Sequence, residues 1–385
     1  MSQKVSSSSK YIALAPGRVN LLGEHVDYNE GIVLPAAINR YVKLSFQLLD
    51  EPVIHLQALD FNQTVSISIE HLDAQCDTEG HPLPAFARYP ASVAWALQQA
   101  GLEVRGMRAD YTSNVPIAAG LSSSAAVEVA FAIGWQTLGD WTIPRMRLAK
   151  LCQFAENEYI GVQSGLMDQF ASLFGVENHV LYFDTHSLAW EPIALPADTV
   201  IIIADSQVRR TLASSAYNDR RLASQQALDI LKSHLPQIKT LRDVLPDDFS
   251  QYAHYLPPVV RKRAQHVVEE CTRVELAANY LKQGNILAFG QLMFDCHKSL
   301  RDLYEVSCPE LDALVEIASQ QPGCLGAKLT GAGFGGCTVN LVKEKHVKDF
   351  ITRLSAEYTA KTGKDAHIYL CYAAAGASVE GFERL

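Results

Sequence analysis

At 385 residues the chain is longer than a single hydrophobic core usually serves, and two domains are the simplest expectation. Its composition, 48% hydrophobic and 19% charged, is that of an ordinary globular protein, with no run near the ~18 apolar residues of a membrane-spanning helix. A formal net charge of -9 removes the basic footprint that nonspecific nucleic-acid binding needs, and the eight cysteines contain no CxxC pair and no Cys/His cluster at zinc spacing.

Residues 1–10, "MSQKVSSSSK", are polar and lack the apolar core of a secretory signal, so they read as a flexible tail on a cytoplasmic protein. The chain then mixes short β-rich runs with Gly, Pro and Asn, and "TVSISIE" alternates as a strand should. Within this region "APGRVNLLGEHVDYNEG", residues 15–31, gathers Arg18, Glu24, His25, Asp27 and Asn29 in a turn-rich segment. Such a density of donors and acceptors suits a polar ligand such as a sugar, although a polar surface turn has the same composition.

Helical periodicity takes over in "YPASVAWALQQAGL" and again in "NVPIAAGLSSSAAVEVAFAIGW", residues 114–135. There the small residues Ala118, Ala119 and Gly120, followed by Leu121 and the serines Ser122, Ser123 and Ser124, run into an apolar stripe of Val127, Ala130, Phe131, Gly134, Trp135 and Leu138. The serines therefore mark a helix N-terminus, where about four unpaired N–H groups and roughly half a positive charge attract phosphate. An ordinary serine cap is the other reading. No lysine follows, so this is not the familiar phosphate loop.

In "RMRLAKLCQFAENEY" Glu156 lies at the edge of an apolar helix face and fits a metal-binding carboxylate and a boundary glutamate equally well. In "SGLMDQFASLFG" the apolar residues share one face and leave Asp168 on the other with Gly165, Gln169 and Ser172. Asp168 is then either an exposed acidic residue of a first turn or a carboxylate held in a cleft, with Gly165 removing a side chain that would block a substrate. Strands return at "HVLYFD" and "VIIIAD", residues 217–320 read mostly as helices, and their basic cluster "VVRKRAQH" reads as a solvated face. In "KLTGAGFGGCTVNLV" a strand follows the glycines, so the dinucleotide fingerprint, which needs a helix there, is excluded. The mixed order of elements favours α+β over a doubly wound architecture.

Three of these segments resemble the galactokinases, within the superfamily named for galactose, homoserine, mevalonate and phosphomevalonate kinases: "GRVNLLGEHVDYNEG" is similar to the galactokinase signature, "PIAAGLSSSAA" to the superfamily's phosphate loop and "LTGAGFGGC" to its third motif. "SGLMDQF" and "SSAYNDRR" match the pattern in order as well. The resemblance implies two α+β domains, residues 11–190 and 191–385, with the active site in the cleft between them. It implies an ATP- and magnesium-dependent kinase of the C1 hydroxyl of α-D-galactose, a monomer with no nucleic-acid, membrane or obligate protein partner. A kinase of a related sugar (N-acetylgalactosamine, arabinose or galacturonate) and a silent sensor of galactose and ATP are the alternatives.

Residue by residue, the resemblance implies Asp168 as the base and Arg18 as the group that stabilises charge beside it. Glu24, His25, Asp27, Gly165, Asp168 and Tyr217 become the sugar contacts, and Ser124 and Glu156 the magnesium ligands. The backbone of Ala118, Ala119, Gly120, Leu121, Ser122, Ser123 and Ser124 is expected to cradle the nucleotide phosphates. Ala118, Val26 and Ser164 stand where glycine, threonine and cysteine are usual in this pattern, and Val26 is expected to remove one hydroxyl from the sugar region.

Overall fold

The structure is a computed structural model that describes residues 9–117, 119–209 and 213–384. The expected tail therefore lies mostly outside the described residues, and Ser9 and Lys10 already belong to the first strand, β1 (Ser9–Asn20). After the short β2 (Ile32–Val33), β3 (Pro35–Leu49) buries Val42, Leu44, Phe46 and Leu48 in strict alternation, which is the period-two pattern of a half-buried strand. β4 (Val53–Ala58) and β5 (Gln63–Ser68) form a hairpin beside β6 (Gly106–Ser113), which follows α1 (Ala85–Gln99).

Helix α2 (Ser123–Leu138) packs against β1 and β3. It is buried nearly all round: Ala126, Glu128, Val129 and Ile133 are enclosed together with the expected stripe, whereas Val127 is only half-buried. The single apolar face expected from the sequence is thus a helix enclosed between a sheet and other helices. Its neighbours are α3 (Arg145–Phe154), which continues into a π-helical turn Ala155–Ile160, and α4 (Met167–Phe174). β7 (His179–Asp184) and β8 (Trp190–Ala194) make a three-stranded sheet with β2.

In β9 (Thr199–Asp205) every residue is buried, because it lies inside a four-stranded sheet ordered β10, β11, β9, β12. Then α5 (Ala213–Lys232), α6 (Pro246–Tyr252), α7 (Pro258–Lys282), α8 (Ile286–Ser299) and α9 (Pro309–Gln320) account for the expected helical stretch. β10 (Cys324–Thr330) and β11 (Cys337–Lys343) form the expected strand-turn-strand, and α10 (Val347–Thr362) and β12 (His367–Cys371) complete the layer. Alternation along β9 separates its two faces. Val200, Ile202 and Ala204 pack with Leu314, Phe350 and Leu354 from α9 and α10, while Ile201 and Ile203 join the larger core.

The chain ends by returning to its beginning: β13 (Ser378–Arg384) pairs antiparallel with β1, giving a six-stranded sheet ordered β13, β1, β3, β6, β4, β5. The architecture is α+β, mixing helices and sheets as expected. The basic cluster "VVRKRAQH" at the start of α7 departs in part from expectation. Arg261 and Lys262 are exposed as expected, but Arg263 and His266 are buried, Arg263 against the Leu303 carbonyl and the Glu305 carboxylate, so only one side of that segment is a solvated face. No described helix is long and apolar enough to cross a membrane, and all eight cysteines are free.

Candidate active site

The register of β1 against β3 shifts between Pro16 and Arg18, a bulge that re-aims the strand at its functional end. Gly17 sits in the bulge. A Cβ there would lie 2.7 Å from the Leu121 carbonyl, so glycine lets β1 meet the serine loop backbone to backbone. The amide of Arg18 donates to Leu121 O at 3.1 Å, and its side chain reaches the loop through Nη1 to Gly120 O at 2.6 Å. Its remaining donors form a bidentate pair with Asp168, Nε to Oδ1 and Nη2 to Oδ2, both 2.8 Å.

Asp168 lies in the first turn of α4, and Ser122 donates its hydroxyl to Asp168 Oδ2 at 2.5 Å. Ser122 takes a left-handed conformation (φ 57°) just before α2, and its side chain makes no bond to the helix's own amides. This excludes the ordinary cap: the serine serves the aspartate and leaves the N-terminal N–H groups of α2 without a side-chain cap. A carboxylate offers about four acceptor sites, and Arg18 and Ser122 fill three of them. The site left over, on Oδ1, belongs to a side chain that is 26% exposed, whereas Arg18 is 6% exposed.

These groups line a cavity of about 280 Å³. The serine loop and Glu156 line it together with Asp27, His25 and Tyr217, and Gly331 and Ala332 join the lining. Of the expected site residues, Ala118 lies outside the described residues and Ala119 is buried behind the loop, while the rest line the cavity. A Cβ on Gly165 would come within 2.0 Å of Asp27 Oδ2, so the glycine makes room for that carboxylate rather than simply for a ligand. Likewise a Cβ on Gly120 would meet Thr330 O at 2.8 Å, and one on Gly331 would meet Gly120 O at 2.7 Å: the two glycine loops touch backbone to backbone.

Burial, with the Asp168 charge nearby, pushes the Asp27 carboxyl up to about 7. Burial, with His266 beside it, pushes the His25 imidazole down to about 3, so this ring is neutral. Its Nε2 faces the Ala332 carbonyl at 3.2 Å and must carry the proton, which makes Nδ1 the acceptor of the Tyr28 hydroxyl at 2.9 Å. Tyr28 in turn accepts from Tyr304 at 2.7 Å. Tyr217 packs its ring against both His25 and Tyr28.

The matches to known proteins bear on this geometry. Residues 88–176 match the model of the GHMP kinases N-terminal domain, 277–360 that of the GHMP kinases C-terminal domain, and 2–47 the galactokinase galactose-binding signature. A galactokinase of Roseiflexus sp. (strain RS-1) is 42% identical over 365 residues, 95% of this chain and 92% of its own. This chain belongs to the galactokinase family of the GHMP kinases. The crystal structure of Lactococcus lactis galactokinase complexed with galactose superposes with a TM-score of 0.91 at 33% identity, covering 96% of this chain and 95% of that one. Methanococcus jannaschii mevalonate kinase shares the fold, with a TM-score of 0.67 at 20% identity over 94% of this chain and 98% of its own.

Some contacts behind the cavity lining were not legible in the sequence. Lys328 of β10 is fully buried and pairs with Glu24 Oε1 at 2.7 Å, while Asn20 and the Gly331 amide bond the same carboxylate. Glu24 thus fastens the first motif to the third. The signal was there, a lone lysine inside an apolar strand, which burial permits only when the charge is paired. Ser164 donates to Glu156 Oε2 at 2.5 Å, and nothing in its local pattern announces this. Val26 is fully buried and packs against Gly31, away from the cavity. Its replacement of threonine therefore takes no hydroxyl from the sugar region, contrary to expectation.

Glu156 is buried on the π-helical turn, and burial raises its carboxyl above the usual range. Its Oε1 accepts a long 3.4 Å bond from Ser124 Oγ. Two hard oxygen donors at the cavity edge, one contact between them being long, fit a magnesium ion that keeps most of its ligands from water and phosphate. Among the described residues no group of three His, Cys, Asp or Glu side chains forms an all-protein cage.

Proposed function

We propose that the chain transfers the γ-phosphate of ATP to the C1 hydroxyl of α-D-galactose, giving galactose 1-phosphate and ADP. The observation that supports this most is the Arg18–Asp168–Ser122 junction: a carboxylate pinned by three donors at the mouth of an uncapped helix, with one acceptor site unfilled on a side chain that lines the cavity. Asp168 takes the proton of the sugar hydroxyl through that site, within the reach that general-base catalysis requires. Arg18, fixed by Gly120 O, stabilises charge at the same point. Phosphoryl transfer is helped chiefly by positioning and charge neutralisation, and the free N–H groups of α2 supply both to the phosphates along residues 119–124 without a lysine. Magnesium, held by Ser124 and Glu156, adds positive charge against the phosphates when bound.

On the sugar side, Asp27 and Tyr217 offer their polar atoms to the hydroxyls. His25 acts by holding the wall, since both its ring nitrogens are engaged, whereas Glu24 spends three acceptor sites fastening the loops and keeps one on Oε2 for a sugar hydroxyl. An ADP-release assay with magnesium-ATP across free sugars tests the reading; turnover with N-acetylgalactosamine, arabinose or galacturonate equal to that with galactose would refute it.

Two further results are expected. Losing even a supporting partner of a metal ligand costs about 10- to 100-fold in affinity, so Ser124→Ala should raise the half-saturating magnesium concentration at least ~10-fold. An unchanged titration would reject Ser124 as a ligand. Asp27 titrates near neutrality, and it accepts hydrogen bonds fully only when ionised. KM for galactose should therefore rise by about five- to tenfold as pH falls from about 8 to about 6, and Asp27→Asn should flatten that profile.

A further inference from the structure

We infer that Glu128 is a protonated carboxylic acid, joined to the Gln169 carboxamide in a cyclic acid–amide pair that positions Glu156 beside Ser124. Glu128 stands one helical turn after Ser124 on α2, and Gln169 follows Asp168 on α4, so the pair bridges the helices that carry the serine and the base. Both side chains are fully buried. Gln169 Nε2 spends its two protons on Glu128 Oε2 at 2.9 Å and Glu156 Oε2 at 3.1 Å.

That leaves two oxygens, Glu128 Oε1 and Gln169 Oε1, each buried and without a hydrogen-bond partner among the described residues. Were Glu128 ionised, both would be unsatisfied acceptors, and a second negative charge would be buried beside Glu156 with no side-chain ion pair among the described residues. A single proton on Glu128 Oε1, donated to Gln169 Oε1, satisfies both atoms and removes the charge. Burial, with the Glu156 charge next, acts in the same direction by holding the Glu128 carboxyl well above the usual carboxylate range.

The consequence concerns Glu156. Its Oε2 accepts from Gln169 and from Ser164, which turns Oε1 toward Ser124. Glu128 is thus a positioning residue, acting on the magnesium site through the amide; in this it rests on the function proposed above.

Glu128→Gln preserves the pairing as an amide–amide dimer, whereas Glu128→Leu removes it at similar volume. The half-saturating magnesium concentration is expected to stay near the wild-type value in E128Q and to rise by about 10- to 100-fold in E128L. A loss in E128Q as large as in E128L would mean that a charged carboxylate is needed and would overturn the inference. Infrared difference spectra of wild type against E128Q, without metal or nucleotide at about pH 8, should show the carbonyl stretch of a protonated carboxylic acid in the wild type only. Absence of that band overturns the inference even if E128L does not fold. Because the band needs no turnover, its absence and a failure of galactose to react are separate results.

Discussion

Asp168→Asn is expected to lower kcat by about 10²- to 10⁴-fold while galactose still binds, because a positioned base contributes about that much. The asparagine keeps the volume of the carboxylate and one carbonyl acceptor, so the cavity wall survives. It cannot accept the bidentate pair from Arg18 and take a proton as well, and its amide would point two donors at a site already ringed by Arg18 and Ser122. Calorimetric titration with galactose, set beside single-turnover transfer from ATP, separates the two quantities. Near-normal transfer in the variant would remove Asp168 from the role of base, and loss of binding equal to the loss of rate would make it a binding residue only.

Lys328→Met is expected to cost about 3–5 kcal/mol of stability, read from urea unfolding, because it leaves the Glu24 carboxylate uncompensated in the interior. Few single substitutions away from the chemistry should cost more. Lys328 also donates to the Asn20 carbonyl at 3.0 Å, and Glu24 also accepts from Asn20, so the pair binds the end of β1 to β10. Combining Lys328→Met with Glu24→Met should recover part of the loss, since an apolar pair needs no counter-charge while the Asn20 amide and the Gly331 N–H lose their acceptor. A loss under about 1 kcal/mol in the single variant, the range of an exposed pair, would show that solvent reaches the site.

The elements legible in the chain were those with a local cause. Alternation produced β3, small residues and serines marked the entry of α2, and the strand after Gly336 excluded a dinucleotide loop. The motifs at Arg18, Ser124 and Asp168 were legible because they are dense in residues that an ordinary turn or helix does not need. Where reading by local pattern failed, burial was the reason. The polar side of α4 left Asp168 either exposed or held in a cleft, and local pattern could not choose; Gln169 and Ser172, which share that side, are buried. Val26 looked like part of a binding surface because its neighbours are, yet it faces the core.

Sequence alone determined the local conformations and the chemical inventory: helix starts, turn residues, and the carboxylates, arginine and serines that phosphoryl transfer requires. Local spacing governs these, and it is present before the chain folds. Only the tertiary structure decided their pairing. Arg18 meets Asp168 across 150 positions, Lys328 meets Glu24 across 304, and β13 closes on β1 from the far end of the chain. Contacts of that range leave no period in the sequence, and the protonation of Asp27 and His25 depends on the burial those contacts create.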